Sequence, residues 1–130
     1  MPDRPVAILV TGSRDWNNEY AIREALERFK GRQVMVIHGD ADGADTLADK
    51  VAGNLGFKPL RFPVLESDRV EHGPFNAPKV RNQRMVDRLC LSRERGTECH
   101  VFAFPTPESR GTWDCSNKAK AAGFRVEVIR

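Results

Sequence analysis

Apolar residues along this chain fall into two patterns that alternate. Residues 6–10 (VAILV), 33–38 (QVMVIH) and 99–104 (CHVFAF) are short apolar runs rich in β-branched or aromatic side chains, as expected of strands buried on both faces. Residues 60–63 (LRFP) and 125–129 (RVEVI) read as two shorter strands. Between the strands the apolar period lengthens to 3.6. Ile22, Ala25, Leu26 and Phe29 stand at i, i+3, i+4 and i+7, with Asn17 or Asn18 ahead as a cap and Gly31 behind as a stop. Leu47, Ala48, Val51, Ala52 and Leu55 form the inner face of a second helix that stops at Gly56. A third helix has Pro78 in its first turn, buries Met85, Val86, Leu89 and Cys90, and ends near residue 90 or 91. A fourth covers residues 112–122 and stops at Gly123. Residues 64–78 show no clear period and carry Asp68, His72, Gly73, Pro74 and Pro78; they read as a long irregular segment, of the kind that often serves as a lid. Residues 92–98 read as a charged loop around Gly96.

The predicted order is βαβαβαβαβ. Such alternation implies an α/β fold, a parallel sheet with helices on both faces and right-handed crossovers. At 130 residues and 14.6 kDa the expectation is one domain over residues 1–130. In sheets of this kind ligands bind beyond the carboxyl ends of the strands, where the strand order reverses. The glycine-bearing loops all follow strands, so they are expected to gather along one edge. That convergence points to a site more strongly than any single loop.

Composition narrows the classes of function. Hydrophobic residues at 40% and charged residues at 30% exclude wholesale disorder. A net charge of +3 permits an anionic ligand without demanding nucleic acid. No apolar run approaches the ~20 residues of a membrane span. The start of the chain has one five-residue apolar stretch and no small-residue cleavage site, so no leader, no membrane association and a cytoplasmic location are expected. Cys90, Cys99 and Cys115 are odd in number and form no CxxC pair, which suits reduced, mostly buried thiols rather than disulfides or zinc. His38, His72 and His100 lack metal spacing, His100 reads as a core or edge residue, and no Ser–His–Asp arrangement is legible. Neither a metal nor a cofactor is expected.

Four segments could carry chemistry. Thr11-Gly12-Ser13-Arg14 follows the first strand: glycine admits close backbone approach, amides and the Ser13 hydroxyl can hold an anion, and Arg14 can bind a phosphate bidentately. The segment is neither GxGxxG nor a P-loop, so it predicts no dinucleotide cofactor and no Walker NTPase. Residues 38–45 (HGDADGAD) combine Gly39 and Gly43 with Asp40, Asp42 and Asp45. Their carboxylates could accept from ribose hydroxyls, or Asp42 could be a helix cap and Asp45 a first-turn charge. The spacing is not that of an EF-hand. Arg81, Arg84 and Arg88 at i, i+3 and i+7 form a cationic stripe on the third helix, with Asn82 beside it. Ser109-Arg110-Gly111-Thr112 opens the fourth helix, where free amides and the Thr112 hydroxyl suit a phosphate, with Thr112 also a candidate cap and Asp114 a helix-start carboxylate or general base. Trp16 and Trp113 could stack on a base or pack in the core.

TGSRDW at 11–16, HGDADGAD at 38–45, RNQRM at 81–85, FAFP at 102–105 and SRGTWD at 109–114, in that order, resemble the YspA-like (cpYpsA-related) branch of the SLOG superfamily. This resemblance implies a Rossmann-like three-layer sandwich, a mainly parallel five-stranded sheet with about four helices, in a protein of bacteria or their phages. It implies binding of a nucleotide or nucleotide-derived ligand. The superfamily includes the Lonely Guy phosphoribohydrolases and the DNA-processing protein DprA. The Lonely Guy motif RKxxM is matched at Arg81 and Met85, with Asn82 in place of lysine; Gly111 and Thr112 match the GT of PGGxGTxxE. Pro105 is a counterpart for the motif's proline, but residues 106–110 are longer and lack the paired glycines. The motif's glutamate falls on Cys115, and Asp114, the nearest carboxylate, lies ~100° around the helix from it. A cysteine cannot replace a carboxylate in glycosidic cleavage.

The expected ligand is a phosphate-containing small molecule, a nucleoside monophosphate or an ADP-ribose-like compound. Gly12, Gly39, Gly43 and Gly111 are expected to bring the backbone close. Ser13 and Thr112 supply hydroxyls, Asn82 lies alongside, and Arg14, Arg81 and Arg84 neutralise charge. Asp40 or Asp45 contacts ribose. Two alternatives stand beside this: a nucleoside 5′-monophosphate phosphoribohydrolase with Arg81 and Asp114 in the active roles, and DprA-like single-stranded DNA binding. The charge of +3 and the lack of a basic tail disfavour nucleic acid as a partner. Self-association to a homo-oligomer is left open.

Overall fold

The computed structural model describes residues 4–130; residues 1–3 of the expected leader-free start lie outside the described residues. The elements run β1 (Val6–Gly12), α1 (Glu19–Glu27), β2 (Val34–His38), α2 (Ala44–Asn54), β3 (Lys58–Arg61), α3 (Glu66–Glu94), β4 (Glu98–Phe104), α4 (Arg110–Ala121) and β5 (Val126–Val128). All strand pairs are parallel and the sheet order is β3-β2-β1-β4-β5. The chain builds outward from β1 to β3, then crosses back and continues on the other side of β1 with β4. The order therefore reverses between β1 and β4, which opens a crevice at their carboxyl ends. The fold is α/β and Rossmann-like, as expected.

The unbroken apolar run of β1 has a direct cause. Val6, Ile8 and Val10 pack with Ile22 and Leu26 of α1 and Ala48 and Val51 of α2. Ala7 and Leu9, between them, pack with Met85, Val86 and Leu89 of α3 and Cys115 and Ala119 of α4. Both faces of the strand are buried, so alternation has no polar side to show. Each fully buried aliphatic side chain contributes about 1.5–3 kcal/mol.

Several boundaries differ from the sequence reading, each for a local reason. β1 runs on to Gly12 because Thr11 and Gly12 pair with Ala103 and Phe104. β3 begins at Lys58 because residues 58–61 pair with residues 35–38 of β2. The segment expected to be irregular is helical on both sides of Gly73, whose φ of 80° breaks one long helix into two. Pro74, rather than Pro78, begins the second half; Pro78 lies inside it. Residues 66–76 bury only Asp68 and half-bury only Gly73, so no apolar period marks the first half. Asp68 instead fixes it electrostatically, accepting from the Leu65 amide at 3.0 Å and from both terminal nitrogens of Arg84. The helix passes residue 91 and ends at Glu94, with Arg88 donating to the buried Ser92 hydroxyl at 2.6 Å. The three thiols are free; Cys115 is buried, whereas Cys90 and Cys99 are only half-buried. Among the described residues no helix is long and apolar enough to cross a membrane.

Candidate functional site

A cleft of about 440 Å³ lies at the crevice between the ends of β1 and β4. Of the residues expected at a site, Gly12, Ser13, Arg14, Asp45, Arg81, Asn82, Gly111, Thr112 and Asp114 line it. They come from four segments far apart in sequence: the end of β1 with the loop after it, the start of α2, the middle of α3 and the start of α4. The switch in strand order brings them together.

The start of α4 forms one wall. Ser109 holds the cap position, so Thr112 is the third helical residue and not the cap. Ser109 does not cap: its hydroxyl donates to the Thr106 carbonyl at 2.8 Å and accepts from the Thr106 amide at 3.0 Å. Among the described residues, the amides of Gly111 and Thr112 have no protein acceptor, and the first turn holds no acidic side chain. Thr112 is 2% exposed and its Oγ1 has no hydrogen-bond partner. On the same cleft lining, Ser13 Oγ accepts from the Asp15 amide at 3.0 Å and from Thr106 Oγ1 at 2.8 Å, leaving its own proton to give. With the Ser13 proton, four donor groups are thus unclaimed among the described residues, three of them at a positive helix end.

The glycines divide by what they serve. A Cβ on Gly12 would collide with Ala44, and one on Gly43, at φ 74°, with the Ser13 carbonyl. On Gly39 it would lie 2.7 Å from Cζ of Arg81. These three are required by the packing of the protein itself. A Cβ on Gly111 would meet nothing within 4 Å.

Arg81 is 8% exposed and is partly a structural residue. Its Nη1 donates to the Gly39 carbonyl and to the Phe62 carbonyl at 3.2 Å, and its Nε donates to Asn82 Oδ1 at 3.0 Å. Its Nη2 makes no protein hydrogen bond and is not sealed from the surface. Asn82 passes the chain on, donating to Asp114 Oδ2 at 3.0 Å, while Lys118 donates to Asp114 Oδ1 at 2.6 Å. Both Asp114 oxygens are therefore already engaged. Cys115, next in sequence, faces away into the core, where burial pushes its thiol up to about 12. It is no nucleophile.

Asp45 sits on the cleft wall at the start of α2. Its Oδ2 accepts from the Gly39 amide at 3.1 Å and the Ala41 amide at 3.3 Å, and its buried Oδ1 has no partner. Burial raises its carboxyl to about 6, against the opposing pull of His38, the Ala41 amide, Arg81 and the Gly39 amide. His38 is fully buried and satisfied. Its Nδ1 accepts from the Asp40 amide at 3.0 Å, which puts the proton on Nε2, 2.7 Å from Asp49 Oδ2. Among the described residues no three His, Cys, Asp or Glu side chains converge as a metal site.

Residues 6–65 match the model of the YspA, cpYpsA-related SLOG family. The Gene 61 protein of Mycobacterium phage D29 is 35% identical over 126 residues, covering 92% of each chain. The chain belongs to the YspA, cpYpsA-related SLOG family. The X-ray structure of DNA processing protein A (DprA) from Streptococcus pneumoniae shares the fold at a TM-score of 0.51 and 13% identity, over 97% of this chain. The chain spans 61% of the length of that structure. In this SLOG protein the family-matched segment carries the TGSR and HGDADGAD loops, whereas the Arg81 and Gly111 walls lie beyond it.

Four residues expected at the SLOG site lie outside the cleft lining. Gly39 is buried beneath Arg81, and Asp40 is exposed, turned away by its own φ of 56°. Gly43 packs on Ser13 and holds the cap position of α2 that Asp42 was a candidate for; Asp42 itself is exposed. Arg84 is spent on Asp68, so the three arginines of the stripe do not act together. Trp16 packs on Phe104 with ring centres 5.4 Å apart, and Trp113 lies under Arg130. Conversely, Thr106, Phe75 and Lys79 line the cleft although the sequence gives them no role, and Arg110 of the SRGT segment lines it as well. Phe75 and Lys79 belong to or adjoin the stretch whose helical character has no apolar signal.

Proposed function

We propose that the cleft binds a nucleoside phosphate, with the phosphate at the start of α4. The observation that carries this reading is the set of donors left unclaimed there: two amides and the buried Thr112 hydroxyl, beside a glycine the protein itself does not need. Among the described residues, Arg14 and Arg110 on the rim are exposed and without an ion pair, and Nη2 of Arg81 adds a fixed positive donor. The unpartnered Oδ1 of Asp45 suits a ribose hydroxyl. A volume of about 440 Å³ lies in the range of small-ligand clefts. SLOG membership and the Rossmann-like layout support a nucleotide-related binding domain in general. Calorimetry and thermal shift over nucleoside monophosphates and ADP-ribose test the reading. Binding of at least one is expected, and silence across the panel would overturn it.

One observation favours a second reading, N-glycosidic cleavage of a nucleoside monophosphate. Asp45, held near 6, shares the cleft with Asp114, and a carboxyl in that range can transfer a proton near neutral pH. Release of free base from a bound monophosphate, lost in Asp45→Asn, is the expected result. Nucleotide that binds and stays intact would leave only the binding function.

A further inference from the structure

One wall of the cleft, built by the second half of α3, stands apart from the start of α4. Phe75 lies two residues past Gly73, at the beginning of the second half of α3, and lines the cleft while 70% exposed. Lys79, one helical turn on, holds Nζ 4.2 Å from the centre of the ring. Pro78 and Met85 continue the same wall inward. A phenyl ring this open is left unburied by its own fold, although this fold buries Phe29, Phe57, Phe102, Phe104 and Phe124. The ammonium takes one face of the ring, and the exposure leaves the other free. Its position is set by backbone geometry: Gly73 takes a φ of 80° and Pro74 restarts the helix.

We propose that Phe75, backed by Lys79, is the stacking platform for the base of the bound nucleotide, so that this cleft selects base-bearing nucleotides over simple sugar phosphates. The inference rests on the nucleotide reading above and adds the group that would recognise the base. Aromatic stacking is tolerant of base identity, because every base presents a π face. Adenine and guanine nucleotides are therefore expected to bind alike, with pyrimidines weaker through smaller overlap.

The test compares AMP with ribose 5-phosphate by calorimetry on the wild-type chain, Phe75→Ala and Phe75→Trp. The wild-type protein is expected to prefer AMP by about tenfold or more, the scale of one base–aromatic stack. Phe75→Ala should collapse that ratio to near one, and Phe75→Trp should restore it and report AMP by quenched indole fluorescence. Because the ring is exposed, both variants are expected to melt like wild type. Equal wild-type affinity for the two ligands, or a ratio unchanged in Phe75→Ala, would overturn the platform while leaving the phosphate site standing. If neither ligand nor inorganic phosphate binds wild type, the nucleotide reading falls and the platform with it. If Phe75→Ala dissociates a dimer in sedimentation and leaves the ratio intact, the ring belongs to self-association and the proposal is wrong.

Discussion

Two helices begin on the same edge of the sheet, and they treat their positive ends in opposite ways. α2 brings its own anion: Asp45 stands in its first turn, buried, with one oxygen bonded back to the Gly39 and Ala41 amides. α4 brings none. Its cap serine turns to Thr106, its first turn has no acid, and Thr112 keeps a buried hydroxyl without a partner. Sequence alone makes the two starts look alike, since each has a glycine near a hydroxyl or a carboxylate after a strand. The difference teaches that an anion site is marked by what the protein leaves unsatisfied. At α2 the glycine is needed to pass the Ser13 carbonyl; at α4 nothing in the protein needs it.

The largest way to break the comparison is to remove the arginine that joins the two regions. Arg81→Ala strands the Gly39 and Phe62 carbonyls and the Asn82 amide oxygen. It should cost about 3 kcal/mol in chemical denaturation, with ligand binding lost as well. Next comes making α4 resemble α2. Gly111→Asp has room for its Cβ and adds a carboxylate where the dipole favours one, so the melting temperature should rise, by about 0.5–1 kcal/mol equivalent. Calorimetry should find the affinity for a nucleoside monophosphate reduced by about 100-fold, near 2.7 kcal/mol. A variant that is stabilised yet binds normally would remove α4 from the site.

Asp45 gives an effect of somewhat smaller size. Its folded pKa of about 6 lies above the usual 3.8, so the native state binds the extra proton between those values. Stability should therefore fall as pH rises from about 4 to about 6, by on the order of 2 kcal/mol, and then level off. In Asp45→Asn that slope should vanish from denaturation curves taken across the range. Asp68 works the other way, held down at about 2, chiefly by Arg84 and then by the Leu65 amide. Its contribution is present above the usual 3.8 and is lost as pH falls toward 2. The smallest expected effect is that of Arg84→Ala on binding: a nucleotide affinity within about twofold of wild type, because that guanidinium is committed to Asp68 outside the cleft.

Much of the architecture was legible because burial writes itself into spacing. The VAILV run, the Ile22–Phe29 stripe and the Met85–Leu89 pair each gave the right element because each faces the core. The first half of α3 was not legible, since Asp68 is the one side chain it buries, and an ion pair leaves no period. In the site, the convergence of Ser13, Arg81 and Thr112 followed from strands ending on one edge. The separate fates of Arg81 and Arg84 did not, because three residues on a helix turn one side chain under the loops and the other toward its own N-terminal half. Nor could a glycine's letter say whether it makes room for protein or for ligand. A Cβ on Gly39 would meet Arg81, and one on Gly111 would meet nothing within 4 Å.

The central claim is that the α4 start, and not the α2 start, receives the anion. A ¹⁵N–¹H correlation titration of the chain with AMP reads both ends in one experiment. Saturable shifts are expected to be largest at the Gly111 and Thr112 amides, with a smaller one at Asp45 from the ribose and little movement at Thr46. Shifts concentrated at Asp45 and Thr46, with Gly111 and Thr112 still, would contradict the account.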